Sequence, residues 1–217
     1  MSKYVVIDFE MCRVTNPLKK AEYGGGTELI QLGAVLLNEN YAVEDDFKSL
    51  IHPQYGVITP YIEELTGISP DVVKNAPELK EVLGMFLEWI PSDAVIVSWS
   101  ENDMMQLQRE TVRKGIELPE LNKFYETWID CQKTFAEKMD NDRCYRLSEA
   151  LIFADIDYDE CAHDALVDAY NTALLFAKMQ TEEKTITNKH FHFESEEAEH
   201  LSYKPFAGLM ALIDTAV

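Results

Sequence analysis

Residues Tyr4 to Glu10 read YVVIDFE. Three β-branched apolar residues, Val5, Val6 and Ile7, lead into an acid, a phenylalanine and a second acid. This is the pattern of a buried strand. Side chains alternate along a strand, so Asp8 and Glu10 share one face and Phe9 takes the other, toward the core. Two carboxylates held about 4 Å apart repel by roughly 4 kcal/mol at an effective dielectric of 20. A chain accommodates such a pair by exposing the strand end, by keeping a carboxyl protonated, or by placing a cation between the two. The stretch by itself leaves all three open.

Outward from this strand the chain reads as mixed α/β. Residues 11–27 read as a loop containing Gly24-Gly25-Gly26, without phosphate-loop spacing. ELIQLGAVLL (28–37) is a second strand, and Asn38-Glu39-Asn40 turns the chain into a third near 41–51, an antiparallel meander. TPYIEELTG predicts a short helix with Thr59 as N-cap, Pro60 at the first helical position and Gly67 as stop. SPDVV repeats the start signal. Leu79, Val82, Leu83, Phe86, Leu87 and Ile90 recur at helical spacing over 77–90. DAVIVSW (93–99) is a fourth strand, 100–115 a helix, and ETWIDC (126–131) a fifth strand. Helices follow to about 139, at 146–154 and at 163–179. No internal repeat is present.

If a cation sits between Asp8 and Glu10, further acids must arrive from neighbouring elements. Asp103 stands where the fourth strand gives way to a helix. Ser100-x-x-Asp103 also fits a capping box, and the helix dipole favours an acid there. The second place is CAHDALVDAYNTALLF. Ala165, Asp168 and Thr172 lie on one helical face, and Ala165, Ala169 and Ala173 let that helix lie close to a sheet. His163 precedes it by two residues, a position also common for solvated or capping histidines.

The ordered set decides between these readings. DFE on the first strand, NDMMQL with Asp103 at a strand-to-helix junction, and HDALVD with His163 five residues before Asp168 resemble the DEDDh family of 3′→5′ exonucleases. LIQLGAVLL is similar to that family's second strand and ELTGIS (64–69) to its Leu-Thr-Gly-Ile segment. The resemblance covers roughly residues 3–180 and is greatest to the enhanced-RNAi-type branch. Met11 and Cys12, which follow Glu10, depart from the small residues or Thr of many members.

The resemblance implies a ribonuclease-H-like fold, an α/β mixed five-stranded sheet with its first three strands antiparallel, flanked by helices. It implies two divalent cations, Mg²⁺ or Mn²⁺, held by Asp8, Glu10, Asp103 and Asp168. Such hard cations take oxygen ligands, and a pair of them clamps the attacking and leaving oxygens of an in-line displacement. His163 is then the general base. The implied partner is a single-stranded nucleic acid, RNA or DNA, trimmed from its 3′ end to 5′-mononucleotides. Met11, Leu65 and Thr66 match positions near the terminal nucleotide. Trp99 is a candidate for base stacking and equally for a core residue closing a buried strand. Lys19, Lys20, Arg109, Arg113 and Lys114 are candidates for phosphate contacts and equally for paired surface groups.

The bulk numbers bound this reading. With 217 residues the chain suits one domain, expected over 1–180. Residues 181–200 hold six acids, two lysines and three histidines, and an apolar segment follows. This tail is expected to dock on the same domain, on a second copy or on another protein. The formal net charge of −20 opposes broad coating of duplex DNA and favours one local site. No apolar run is long enough for a bilayer or for the core of a secretory signal. Cys12, Cys131, Cys144 and Cys161 lack metal or CxxC spacing and fit a reducing cytoplasm. Three alternatives stay open: a non-catalytic binding module on the same fold, a cysteine hydrolase using Cys161 with His163, which leaves the acids unexplained, and a proofreading-type DNA exonuclease in place of an RNA-trimming one.

Overall fold

The computed structural model describes residues 3–158 and 163–182. Cys161 and the segment expected to dock after residue 182 lie outside them. Five strands form one sheet in the order β3-β2-β1-β4-β5. They are β1 (Tyr4–Arg13), β2 (Thr27–Leu37), β3 (Val43–Leu50), β4 (Val95–Ser98) and β5 (Ile129–Asp130). The first three form the expected antiparallel meander. β4 runs parallel to β1, and β5 parallel to β4. The helices are α1 (Pro17–Tyr23), α2 (Pro60–Thr66), α3 (Pro70–Val73), α4 (Leu79–Trp89), α5 (Glu101–Arg113), α6 (Pro119–Glu126), α7 (Cys131–Lys138), α8 (Leu147–Phe153) and α9 (Ala165–Thr181).

The alternation read from YVVIDFE sorts the two faces of the sheet. Val5, Ile7 and Phe9 pack with Leu83 and Phe86 of α4, Leu107 of α5 and Phe124 of α6. Val6, on the other face, packs with Phe135 of α7, Leu151 of α8 and Ala169, Ala173 and Phe176 of α9. Phe9 is therefore a core residue. Truncating a ring as fully buried as that of Phe135 typically costs about 3–5 kcal/mol. Asp8 and Glu10 lie on the α9 face. The pairing slips between Glu10 and Met11, where Ile30 is an extra residue on β2, and such bulges re-aim the side chains that follow.

Two expectations need correction. Residues 11–27 are not one loop: β1 runs on to Arg13, paired with Thr27, and α1 fills the connection. Asn16 caps α1 by accepting from the Leu18 and Lys19 N–H groups, Pro17 opens it, and Gly24 closes it in the left-handed conformation. The fifth strand shrinks to two residues. Pro119 opens a helix through Glu126, and Asp130 already caps the next one by accepting from the Lys133 N–H at 2.8 Å.

Candidate active site

Asp8 and Glu10 project from β1 toward the start of α9. Their partners on β2 decide how close that helix comes: Asp8 pairs with Gly33 and Glu10 with Gln31. A Cβ on Gly33 would lie 2.2 Å from the Ala165 carbonyl carbon and the Leu166 nitrogen, so only glycine admits the helix backbone here. Gln31, buried, accepts the Ala165 N–H through its Oε1 at 2.8 Å. Asp164 caps the helix by accepting from Leu166 and Val167. The first donors of α9 are thus satisfied, two by its own cap and one by the sheet. Ala165, Ala169 and Ala173 are buried against the strands as their spacing implies.

This docking brings Asp168 and His163 to Glu10. One ligand atom from each of the three lies within 4.8 Å of the others. His163 has φ +70°, an unusual backbone for a non-glycine residue that costs on the order of 1–3 kcal/mol and gathers at functional sites. Its backbone N–H donates to Asp168 Oδ2 at 3.0 Å, which ties the bend to the helix it precedes. Asp103, at the third position of α5, is buried and its carboxylate accepts from its own N–H and from that of Phe9. The expected capping box is therefore absent. Ser100 Oγ accepts from Asn102 instead, because Asp103 is turned toward β1.

The electrostatics join the four acids into one site. Burial, then repulsion from Asp103, Asp168 and Glu10, holds the Asp8 carboxyl well above the usual range. Burial, then Asp168 and Asp164, pushes Glu10 up to about 8. Burial pushes Asp103 up to about 7, against the two backbone N–H groups it accepts. Burial also raises Asp168, opposed by the N–H and ring of His163. Asp164, one residue past His163, behaves differently. Burial raises it, but the Lys48 ammonium at 2.5 Å and the N–H groups it caps leave it below the usual value. Lys48 thus neutralises the one nearby acid that is turned to capping.

Four carboxylates whose burial and mutual repulsion disfavour ionisation form the environment a divalent cation relieves. The donor set is all oxygen, with one imidazole at its edge, and fits hard cations such as Mg²⁺ or Mn²⁺.

The other sequence candidates divide. Met11 follows Glu10 on β1, half-buried against the core. Leu65 and Thr66 end α2, and the Thr66 hydroxyl donates to the Ile62 carbonyl and accepts from the Ile68 N–H. Trp99 packs beside Phe135 under α7, with ring centroids 6.4 Å apart, and its carbonyl accepts from Gln132. It is half-buried against the core on the α7 side. Lys114 is not a surface cation. Its Nζ lies 2.6 Å from Glu28 and 2.9 Å from Glu110, with the side chain only 5% exposed. Glu28 also accepts from the Gln54, Tyr55 and Gly56 N–H groups, and Glu110 from that of Leu29. The trio pins the end of α5 to β2. Gln31, Gly33 and Lys48 are the residues that sequence reasoning passed over.

A five-stranded sheet of this order, with carboxylates from β1, α5 and α9 converging on one face, defines a chain of the ribonuclease-H-like class. The family model described as Exonuclease matches residues 5–176, and the chain belongs to that family. It is 33% identical over 202 residues to ERI1 exoribonuclease 2 of Danio rerio, a match covering 82% of this chain and 35% of that protein. The chain therefore spans about a third of that relative's length. The fold is shared with a solved full-length 3′-exonuclease, with TM-score 0.73, 23% identity, and coverage of 85% of this chain and 84% of that one. It is shared as well with a 3′-exonuclease solved for its 3′-end-specific recognition of a histone mRNA stem-loop. There the TM-score is 0.71 and the identity 24%, with 85% of this chain and 65% of the other covered.

Proposed function

We propose that this chain is a 3′→5′ exonuclease that removes 5′-mononucleotides from single-stranded RNA with two divalent cations. The observation that carries the reading is the convergence of Glu10, Asp168 and His163 within 4.8 Å, beside two further acids whose buried carboxyls are raised above the usual range. Asp8, Glu10, Asp103 and Asp168 would hold the cations. When bound, these supply Lewis-acid stabilisation of the charge that develops on the phosphate in an in-line displacement. His163 stands at the solvent edge of the acid cluster and accepts the proton of the attacking water, a contribution typically worth 10²–10⁴-fold. Its backbone bond to Asp168 keeps the imidazole in register with the acids. Met11 and the Leu65–Thr66 end of α2 flank the terminal nucleotide. RNA is preferred in this reading because a relative named an exoribonuclease matches 82% of the chain at 33% identity, against 29% for a DNA polymerase matching the same share.

In this reading residues 1–180 are the exonuclease domain. A reducing cytoplasm suits the three described cysteines, all free thiols. No helix among the described residues is long and apolar enough to cross a membrane.

The test is digestion of matched RNA and DNA strands carrying label at one end. Label at the 3′ end should leave first, as mononucleotide, in Mg²⁺ or Mn²⁺, and EDTA should stop it. Loss from the 5′ end, or activity undiminished in EDTA, overturns the reading.

A further inference from the structure

The chain carries a formal charge of −20, yet its exposed cations are not evenly spread. Arg13, Lys19, Lys20, Arg109 and Arg113 are all exposed, and none forms an ion pair among the described residues. Lys74, Lys80, Lys123 and Lys138, which also lack one there, are dispersed singly over α3's end, α4, α6 and α7.

The five gather at one end of the sheet. Arg13 pairs with Thr27 at the end of the β1–β2 ladder, and the Thr27 hydroxyl donates to Gln106 of α5 at 3.0 Å. The Arg113 guanidinium lies 5.3 Å from the Tyr23 ring centroid and so close to Gly25 that a Cβ there would meet it at 2.4 Å. The Lys20 stem passes 3.9 Å from where a Cβ on Gly26 would sit. Arg109 is one helical turn before Arg113. Within α1 and the second half of α5, only Glu22 is an exposed acid, because Glu110 is consumed by Lys114. The patch also begins close to the acids. Arg13 is three residues beyond Glu10 on the same strand, about 10 Å along the backbone, and alternation turns its side chain to the α5 side, from which Asp103 joins the acids.

We propose that this face, Arg13 with Lys19 and Lys20 of α1 and Arg109 and Arg113 of α5, is the track for the sugar-phosphate backbone of the strand whose 3′ end is in the acid site. The proposal rests on the exonuclease reading. Charge complementarity selects the occupant: a net-negative chain that must admit a polyanion to an acidic site needs a local positive lead-in, and phosphates a nucleotide or two from the end fall at this distance. The strand would leave the acids along β1 toward α1. Grip on a long strand then depends on this face, whereas hydrolysis of the last bond does not.

The experiment compares a 12-nucleotide RNA with a dinucleotide too short to reach the patch. The two are used with wild-type protein and with the triple variant Arg13→Gln, Lys19→Gln, Lys20→Gln, across salt concentrations. The variant should raise KM for the 12-mer about tenfold and reduce the slope of log kcat/KM against log salt by about two, from three lost contacts at roughly 0.7 each. Its kcat, its melting temperature and its rate on the dinucleotide should match wild type. Arg109→Gln with Arg113→Gln should lower the slope in the same way. An unchanged slope, or equal loss on both substrates, overturns the track. If wild type cleaves neither substrate, the nuclease reading has failed, and fluorescence anisotropy of the labelled 12-mer still decides the track. Affinity at least tenfold weaker in the triple variant supports it, and equal affinity overturns it.

Discussion

Gly33 lies under Ala165 with no room for a methyl group: an added Cβ would sit 2.2 Å from the Ala165 carbonyl carbon and 2.4 Å from its oxygen. Gly33 is also the residue paired with Asp8 across the β1–β2 ladder. One glycine therefore fixes the distance between the strand that offers Asp8 and Glu10 and the helix that offers Asp168.

Gly33→Ala is expected to displace the start of α9 while leaving the rest of the sheet intact. The obstacle is helix backbone, which has no rotamer to yield, and overpacking of this kind costs about 1–3 kcal/mol. Melting temperature should fall by several degrees. Mn²⁺ affinity, measured by calorimetry, should fall at least tenfold, because Glu10 and Asp168 no longer meet. Unaltered Mn²⁺ affinity would show that the close approach of the helix is dispensable for the site.

The second expectation concerns pH in the absence of metal. Asp8, Glu10, Asp103 and Asp168 all have carboxyls raised by burial, Asp103 to about 7 and Glu10 to about 8. The folded protein thus holds protons that the unfolded chain releases near pH 4. The linked stability is fully present below the unfolded value and is lost as pH rises through the folded ones. Melting temperature in EDTA should therefore decline between about pH 5 and pH 8. Stabilisation by Mn²⁺ should grow over the same window, as cations take over from protons in offsetting the repulsion. A flat or rising EDTA profile through neutrality would contradict this.

Lys114 tests a different kind of buried charge. It sits between Glu28 and Glu110, away from the acid site. Lys114→Ala strands two buried carboxylates, and breaking such an arrangement typically costs about 3–5 kcal/mol. Urea denaturation should show that loss. The salt dependence of strand binding should stay as in wild type, since this ammonium meets no phosphate. A stable variant with a shallower salt slope would return Lys114 to the surface role its sequence context implies.

What could be read in advance follows from the range of the interactions. Asp8 and Glu10 share a face because strand alternation is local, and Asp168 shares a helical face with Ala165 for the same reason. The α1 helix was equally local: Asn16-Pro17 and Gly24 carry the start and stop grammar of Thr59-Pro60 and Gly67, but the neighbouring glycines drew the reading toward a loop. Gln31 and Gly33 were not legible. Nothing near them in the chain says that a helix more than 130 residues later will rest on them. Lys114 misled because a Lys-Gly helix end normally faces water, and its two acids arrive from β2 and from one turn earlier on its own helix. Asp103 lies in the first turn of α5 as its sequence context implies, but its buried carboxyl faces β1 as well as its own helix turn.

His163 is the residue that separates hydrolysis from mere binding. It reaches the acids through a bend at φ +70° and an N–H bond to Asp168, both properties of the backbone, so its imidazole can be removed without dismantling the loop. His163→Ala should keep Mn²⁺ affinity within a few-fold, since four carboxylates remain. It should bind a single strand as wild type does. Turnover should fall by at least about two orders of magnitude, the low end of general-base effects. The wild-type single-turnover rate at saturating metal should rise with pH and then level, because only neutral imidazole accepts a proton, and the variant should lose that inflection. A variant that cleaves within a few-fold of wild type would remove His163 from the mechanism while leaving the four acids as metal ligands. A variant that loses Mn²⁺ together with activity would make the histidine a ligand rather than the base.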